Sequence, residues 1–396
     1  MFFEGHGPAG SASLRALQKS PYIRYHSSMK PQLTYILPEY SKTSATHFAH
    51  IHDFIRRISA YFDVTLLIEK GEAPAEDWGC KKVLLLTFSF TPLRFLELMA
   101  RIFFGRLVEK KNVYVHYSFV GAYAAVCVFR FFGGKVFYWN AGEPWKYKKG
   151  WFREMFERKV YRAVTVLVTG TEALKKEYAR VYDIRPEKIR VMPNWIDCGR
   201  FSNVNIAAVR NVRQAARIRE HDAVVLFVHR LSKRKGADLL PAIAEAFRDD
   251  PVKFLVVGDG PERSALHIAL REKHLEDAVI VLGEVPNAGL PSYYGMADLF
   301  IMPSEEEGFP RVLLEAMATK TPFVAFNAGA GGVAGIVPPE LSEYVIPVGD
   351  VPAFIAAMKK ILLASPETIM RIKEFEERWV RKFDIGEVVE IFRKMF

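Results

Sequence analysis

Cysteine is scarce in this chain. Cys80, Cys127 and Cys198 are the three among 396 residues, and they form no CxxC pair and no metal-ligand cluster. That excludes a disulfide framework and a zinc module, and it fits a reducing compartment. Cys127 lies in an apolar run and reads as a small core residue. Long hydrophobic runs are missing too. A membrane-spanning helix needs about 20 predominantly apolar residues, and the two best stretches are broken by Arg94 and Arg130. No transmembrane helix is expected. The first 28 residues mix Gly, Ser, Pro and charges without the apolar centre of a secretory signal. They read as a disordered tail or an extension from an upstream start site. The expected location is cytoplasmic.

What is present describes a globular protein. Half the residues are hydrophobic and a quarter are charged. A chain of 396 residues suits two domains of about 150 to 200 residues each. The net charge of +10, with a pI near 9.3, favours anionic partners such as nucleotides, diphosphates, nucleic acid or anionic lipid, without choosing among them. Short apolar runs alternate with amphipathic segments. Residues 33–37, 64–68, 83–87, 113–116, 135–139 and 164–169 read as buried strands, with helical patterns at 47–61 and 120–132. The pattern lapses around 193–222, where Pro193-Asn194-Trp195-Ile196-Asp197 reads as a loop and 206–219 as a basic surface helix. It then restarts, with strands at 223–228, 254–258, 279–282, 299–302 and 322–325 and helices at 237–248, 262–273, 290–296 and 311–318. The last segment, 366–396, reads as long and helical. This is the order of two parallel sheets covered by helices. The expected fold class is α/β, with two Rossmann-like doubly wound domains facing a central cleft where strand C-termini and helix N-termini converge. The expected boundaries are a tail at 1–28, a first domain at 29–200, a second at 201–375 and a final helix at 376–396.

The sharpest motif follows a predicted strand: Pro303-Ser304-Glu305-Glu306-Glu307-Gly308-Phe309-Pro310-Arg311, continuing to Glu315 in an apolar helix. Gly308 permits a tight turn, and Pro310 suits a helix start. Free amides at that helix start suit an anion or sugar hydroxyls. Acidic residues near a helix start also favour the dipole, which accounts for Glu305 to Glu307. It does not account for Glu315. On a continuous helix, Glu307 and Glu315 would differ by roughly 80° around the axis. One carboxylate can then grip a sugar and the other a ribose. A second motif, His229-Arg230-Leu231-Ser232-Lys233-Arg234-Lys235-Gly236, lies between a strand and a helix. Arg230 and Lys235 can neutralise a diphosphate. A third, Gly258-Asp259-Gly260-Pro261, is a glycine turn that lets a ligand approach the backbone. Either turn can also be a plain loop.

These motifs resemble the E-x7-E signature of retaining glycosyltransferases with the GT-B fold, family 4 type. The resemblance extends from about Leu33 and is strongest between 223 and 350. It implies a C-terminal helix that returns to the first domain. It also implies transfer of a hexosyl group from a UDP- or GDP-sugar to a glycan or lipid-linked acceptor, with retention of configuration. Arg230, Lys235, Glu307 and His116 are the expected catalytic residues. Glu315, Gly258, Gly260, Glu284, Val285, Gly308, Phe309 and Pro310 are expected to bind the donor. No cofactor is implied, and metal independence is expected, because no DxD-like motif follows a strand and the two cations can replace a metal. His229 stands where the family usually has Gly, and Val333-Ala334-Gly335 replaces a Glu-containing helix after the Gly-rich loop 327–332.

Acceptor recognition is expected in the first half. The loop 38–46 carries small hydroxyl residues where the family has Gly-Gly, and Asn140-Ala141-Gly142-Glu143 ends a strand facing the cleft. Residues 145–164 are rich in Lys, Arg and aromatics, with Trp151, Phe152, Met155, Phe156 and Val160 near one helical face. Such a helix can pack on the sheet or lie on an anionic membrane surface. Peripheral contact with the inner face of a membrane is therefore one expectation, and nucleic acid is not an expected partner. A nucleotide-sugar epimerase and a non-catalytic basic scaffold are the alternatives. The combined Arg230, Lys235, Glu307 and Glu315 set argues against the scaffold.

Overall fold

The computed structural model describes residues 30–41, 49–106, 112–329 and 332–396. The N-terminal tail, most of the hydroxyl-rich loop (42–46), and Ala330 and Gly331 lie outside the described residues.

Two parallel sheets organise the chain. The first contains β1 (Gln32–Leu37), β2 (Asp63–Ile68), β3 (Lys82–Leu85), β4 (Asn112–His116), β5 (Val136–Trp139), β6 (Val166–Thr169) and β7 (Ile189–Val191), in the order 3-2-1-4-5-6-7. The second contains β8 (Ala223–Val228), β9 (Val252–Val257), β10 (Val279–Gly283), β11 (Leu299–Met302), β12 (Phe323–Phe326) and β13 (Val345–Ile346), in the order 10-9-8-11-12-13. Central strands such as β5, β11 and β12 are buried along their whole length. This is why they read as unbroken apolar runs rather than alternating ones. The strand order reverses between β1 and β4, and again between β8 and β11. Crevices open at the carboxyl ends of strands at such reversals, and ligands bind there.

Several predicted elements differ from those observed. The strand expected at 83–87 ends at Leu85, and the helix expected at 237–248 is confined to Leu240–Glu245. The helix expected over 366–396 is two helices, Pro366–Val380 and Ile385–Arg393, separated by a 3-10 turn at Arg381–Phe383. Asp384 caps the second of these by accepting from Gly386 N. Cys127 is half-buried rather than in the core. The final helix packs back on the first sheet's helix Ala49–Ile58. Phe392 meets Phe54 edge-on at 5.3 Å and Tyr114 at 4.9 Å, and Phe396 lies 4.3 Å from Phe137. The connecting segment is pinned as well. Trp195 stacks on Phe54 at 4.1 Å, and Ile196 exchanges backbone hydrogen bonds with Phe383 and Ile385. Among the described residues, no helix is long and apolar enough to cross a membrane.

Candidate active site

The two reversals face one cleft of about 1050 Å³. From the second sheet its walls include His229, Arg230 and Lys235 after β8, the turn Gly258–Gly260 after β9, and Glu284 and Val285 after β10. Glu307 to Val312, after β11, and Glu315 complete that side. From the first sheet come Tyr117 after β4 and residues 138–144 around the end of β5. Every predicted site residue except His116 therefore lines this cleft.

The helix after β11 begins at Arg311, so Glu307 sits in the preceding turn. The helical-wheel relation between Glu307 and Glu315 does not hold, because it is the turn that aims Glu307. Its Oε1 lies 3.1 Å from His229 Nε2 and 2.8 Å from Lys235 Nζ. Burial pushes the Glu307 carboxyl up, but the hydrogen bond from His229 and the Lys235 ammonium outweigh it and hold the group down at about 2. The backbone N–H of Arg230 donates to His229 Nδ1 at 2.9 Å. The ring thus meets backbone at Nδ1 and turns Nε2 toward Glu307. His229 joins Glu307 and Lys235 in one cluster at the cleft wall. In the sequence it stands out only as a departure from Gly. Its place beside the strand end was the available signal.

Lys235 also donates to the Glu306 carbonyl at 2.8 Å, so its ammonium is tethered at the cleft wall. Arg230 is exposed in the cleft. Glu315 is buried in the helix, where its Oε2 accepts from the Tyr294 hydroxyl at 3.0 Å and its Oε1 lies 3.8 Å from Arg311. Arg311 in turn donates to the Trp195 carbonyl at 3.3 Å. No side chain caps the N-terminus of this helix, and Pro310, Arg311 and Val312 all line the cleft. That leaves its first amides to a ligand.

Backbone closeness sets the cleft's shape. Gly258, at φ +134, lies so near His229 that a Cβ would meet the His229 carbonyl oxygen at 1.9 Å. Gly308 lies against the other sheet, where a Cβ would meet the Ala141 carbonyl oxygen at 2.2 Å. The segment Asn140–Glu143 thus touches the Glu307 turn directly. Asn194 of the connecting segment reaches the Phe309 carbonyl at 3.4 Å. Tyr117, at φ 54, is a bulky residue in the left-handed region beside the cleft, a conformation that no residue pattern around it signals.

His116 is not brought to the cleft wall. It is 1% exposed, its Nδ1 lies 3.1 Å from the Tyr35 hydroxyl, and it stacks on Trp139 at 4.4 Å. Burial pushes its imidazole down to about 3. It belongs to the aromatic layer beneath the first reversal. Among the described residues, no group of acidic, His or Cys side chains could hold a metal ion.

Residues 209–379 match the family described as glycosyl transferases group 1, and residues 48–200 match glycosyltransferase family 4. The two matches share the chain between them, one for each sheet. The chain belongs to the group 1 glycosyltransferases with the GT-B fold. It is similar to a D-inositol 3-phosphate glycosyltransferase of Corynebacterium urealyticum, 29% identical over 61% of this chain and 60% of that one. It also resembles a putative teichuronic acid biosynthesis glycosyltransferase, TuaC, of Bacillus subtilis, 32% identical over 46% of this chain and 43% of that one. The chain thus spans about half the length of these curated relatives. The fold is shared with Anabaena Alr3699/HepE solved with UDP, at a TM-score of 0.77, 16% identity and coverage of 92% and 99%. It is also shared with WaaG, a glycosyltransferase involved in lipopolysaccharide biosynthesis, at a TM-score of 0.68, 16% identity and coverage of 92% and 99%.

Proposed function

We propose that the chain transfers a hexosyl group from a UDP- or GDP-sugar to a glycan or lipid-linked acceptor, with retention of configuration. The observation that carries this reading is the convergence of Glu307, Lys235, Arg230 and Glu315 on one cleft between two parallel sheets. Anabaena Alr3699/HepE has been solved with UDP and with UDP-glucose, which supports a nucleotide-sugar donor here.

In this reading the donor's diphosphate lies over the backbone N–H groups of Arg311 and Val312, between Arg230 and Lys235. As the bond to the sugar breaks, negative charge builds on the leaving diphosphate. The two cations stabilise that charge without a metal ion, and removing one preorganised donor of this kind costs about 10² to 10³ in turnover. Glu307, held ionised by His229 and Lys235, accepts hydrogen bonds from sugar hydroxyls. Glu315, fixed by Tyr294, accepts from the ribose, and Glu284 and Val285 border the base. The test is a screen of UDP- and GDP-sugars for hydrolysis and transfer, with the product's anomeric configuration read by NMR. Turnover of one donor with retention supports the reading. Inversion removes the retaining assignment, and no turnover of any donor removes the transferase reading. An epimerised donor in the same spectra would establish the alternative.

A further inference from the structure

The first sheet's two faces are covered differently. The C-terminal helix lies over Ala49–Ile58 on one side. The other side carries the helices Thr91–Arg106, Phe119–Phe132 and Trp151–Ala163, each joining parallel strands. They pack side by side through their rings: Phe95 stacks on Tyr123 at 5.6 Å, and Tyr123 meets Phe156 at 4.5 Å. Helices that join parallel strands run back along the sheet. Their N-termini therefore gather at the strands' carboxyl edge, the edge that meets the cleft.

Large apolar side chains stand exposed at that gathering point. Phe90 is 66% exposed, Leu96 60%, Trp151 66% and Phe152 73%. The exposure continues along the same helices to Phe104 and Phe131. A concentration of this kind on one face marks an interaction surface. The Trp151–Ala163 helix packs on the sheet only through its later turns, at Val160 and Tyr161, so its first turn offers its rings to solvent. The charge is one-sided as well. Residues 146–163 contain seven Lys or Arg and two Glu. Lys148 and Lys159 are exposed outside the helix's ion pairs, whereas Glu157 is held by Lys149 and Arg153 and Glu154 by Arg158. Tyr147, Lys149 and Arg153 of this segment also line the cleft.

We propose that this three-helix face docks on an anionic lipid bilayer and holds the cleft mouth at the membrane surface. Aromatic rings enter the headgroup boundary, and the surrounding cations meet lipid phosphates. The proposal rests on the transferase reading only in what it adds to it, namely that a lipid-linked acceptor reaches the cleft from the bilayer.

The test is co-sedimentation of the full chain with vesicles of phosphatidylcholine, alone or mixed with phosphatidylglycerol, at low and high salt. The wild type is expected to bind the anionic vesicles, and to bind less at high salt. The double variant Trp151→Glu/Phe152→Glu is expected to bind about tenfold less or weaker still. Phe90→Glu, on a different helix, should weaken binding in the same direction. Ile268→Glu, an exposed apolar residue of the second sheet's helices, should bind like the wild type. Circular dichroism and melting confirm that each variant is folded. Absence of wild-type sedimentation, or equal sedimentation of all variants, overturns the proposal. So does a wild-type dimer in light scattering that Phe90→Glu and the double variant convert to monomer, because the face would then join two copies of the chain. Calorimetry of donor binding on the same proteins separates the two claims. Lipid binding without donor binding leaves the docking face standing and removes the transferase reading.

Discussion

Replacing Glu307 with Gln keeps the side chain's shape and removes its charge. In the folded chain the carboxyl is held down from 4.5 to about 2, against the opposing effect of burial, by His229 and Lys235. At 1.36 kcal/mol per pKa unit that difference is worth about 3 kcal/mol. A depressed carboxylate stabilises the fold above its unfolded pKa and loses that contribution as pH falls through the folded value. The stabilisation is therefore complete at neutral pH and fades between about 4.5 and 2. Glu307→Gln should destabilise the chain by about 3 kcal/mol at pH 7, and a cooperative unit of 150–250 residues then melts roughly 6 to 12 °C lower. Differential scanning fluorimetry at pH 7 checks the size of the effect. Repeating it at falling pH checks the origin, because the gap between wild type and variant should narrow below pH 4.5. An unchanged melting temperature at pH 7, or a gap that widens in acid, would refute the role given to the His229–Glu307–Lys235 cluster.

Arg230→Ala should leave stability within about 0.5 kcal/mol, as expected for an exposed side chain, while donor turnover falls by about 10² to 10³; kinetics and melting on one preparation check both. Arg94→Ala should destabilise by about 3 kcal/mol in urea, because it leaves Glu69 buried after β2 with its charged partner, 3.4 Å away, removed. Adding Glu69→Gln to that variant should recover part of the loss. His116 is pushed down to about 3 by burial, so it opposes folding only in acid. Between pH 6.5 and 5 it should cost about 2 kcal/mol of wild-type stability, and His116→Gln should lack that part of the pH dependence.

The sequence was most legible where burial is uniform. Residues 290–296, 299–302 and 311–318 coincide with observed elements because each is a compact apolar block with a clear boundary. Short or interrupted elements were missed. Val345–Ile346 is too brief to show a period, and Ile189–Val191 is split by an exposed Arg190. The turn at Arg381–Phe383 was hidden because its residues suit a helix on either side. At the site, Arg230 and Glu307 were legible as charged residues soon after strand ends, Lys235 from the basic run that follows Arg230, and Glu315 from its charge in an otherwise apolar helix. The role of His229 was not, since it depends on a partner 78 positions away in sequence. Nor was the meeting of Gly308 with Ala141, which exists only once the two sheets face each other. His116 shows the converse. It too adjoins a strand end, yet its ring turns into the aromatic layer beside Tyr35 and Trp139.

The most direct test of the central claim is calorimetric titration of UDP- and GDP-sugars into wild type, Arg230→Ala and Glu315→Ala. A donor site in this cleft predicts saturable binding of one donor by wild type and its loss in both variants. Binding unaffected by either substitution, or no binding of any donor by wild type, would contradict it.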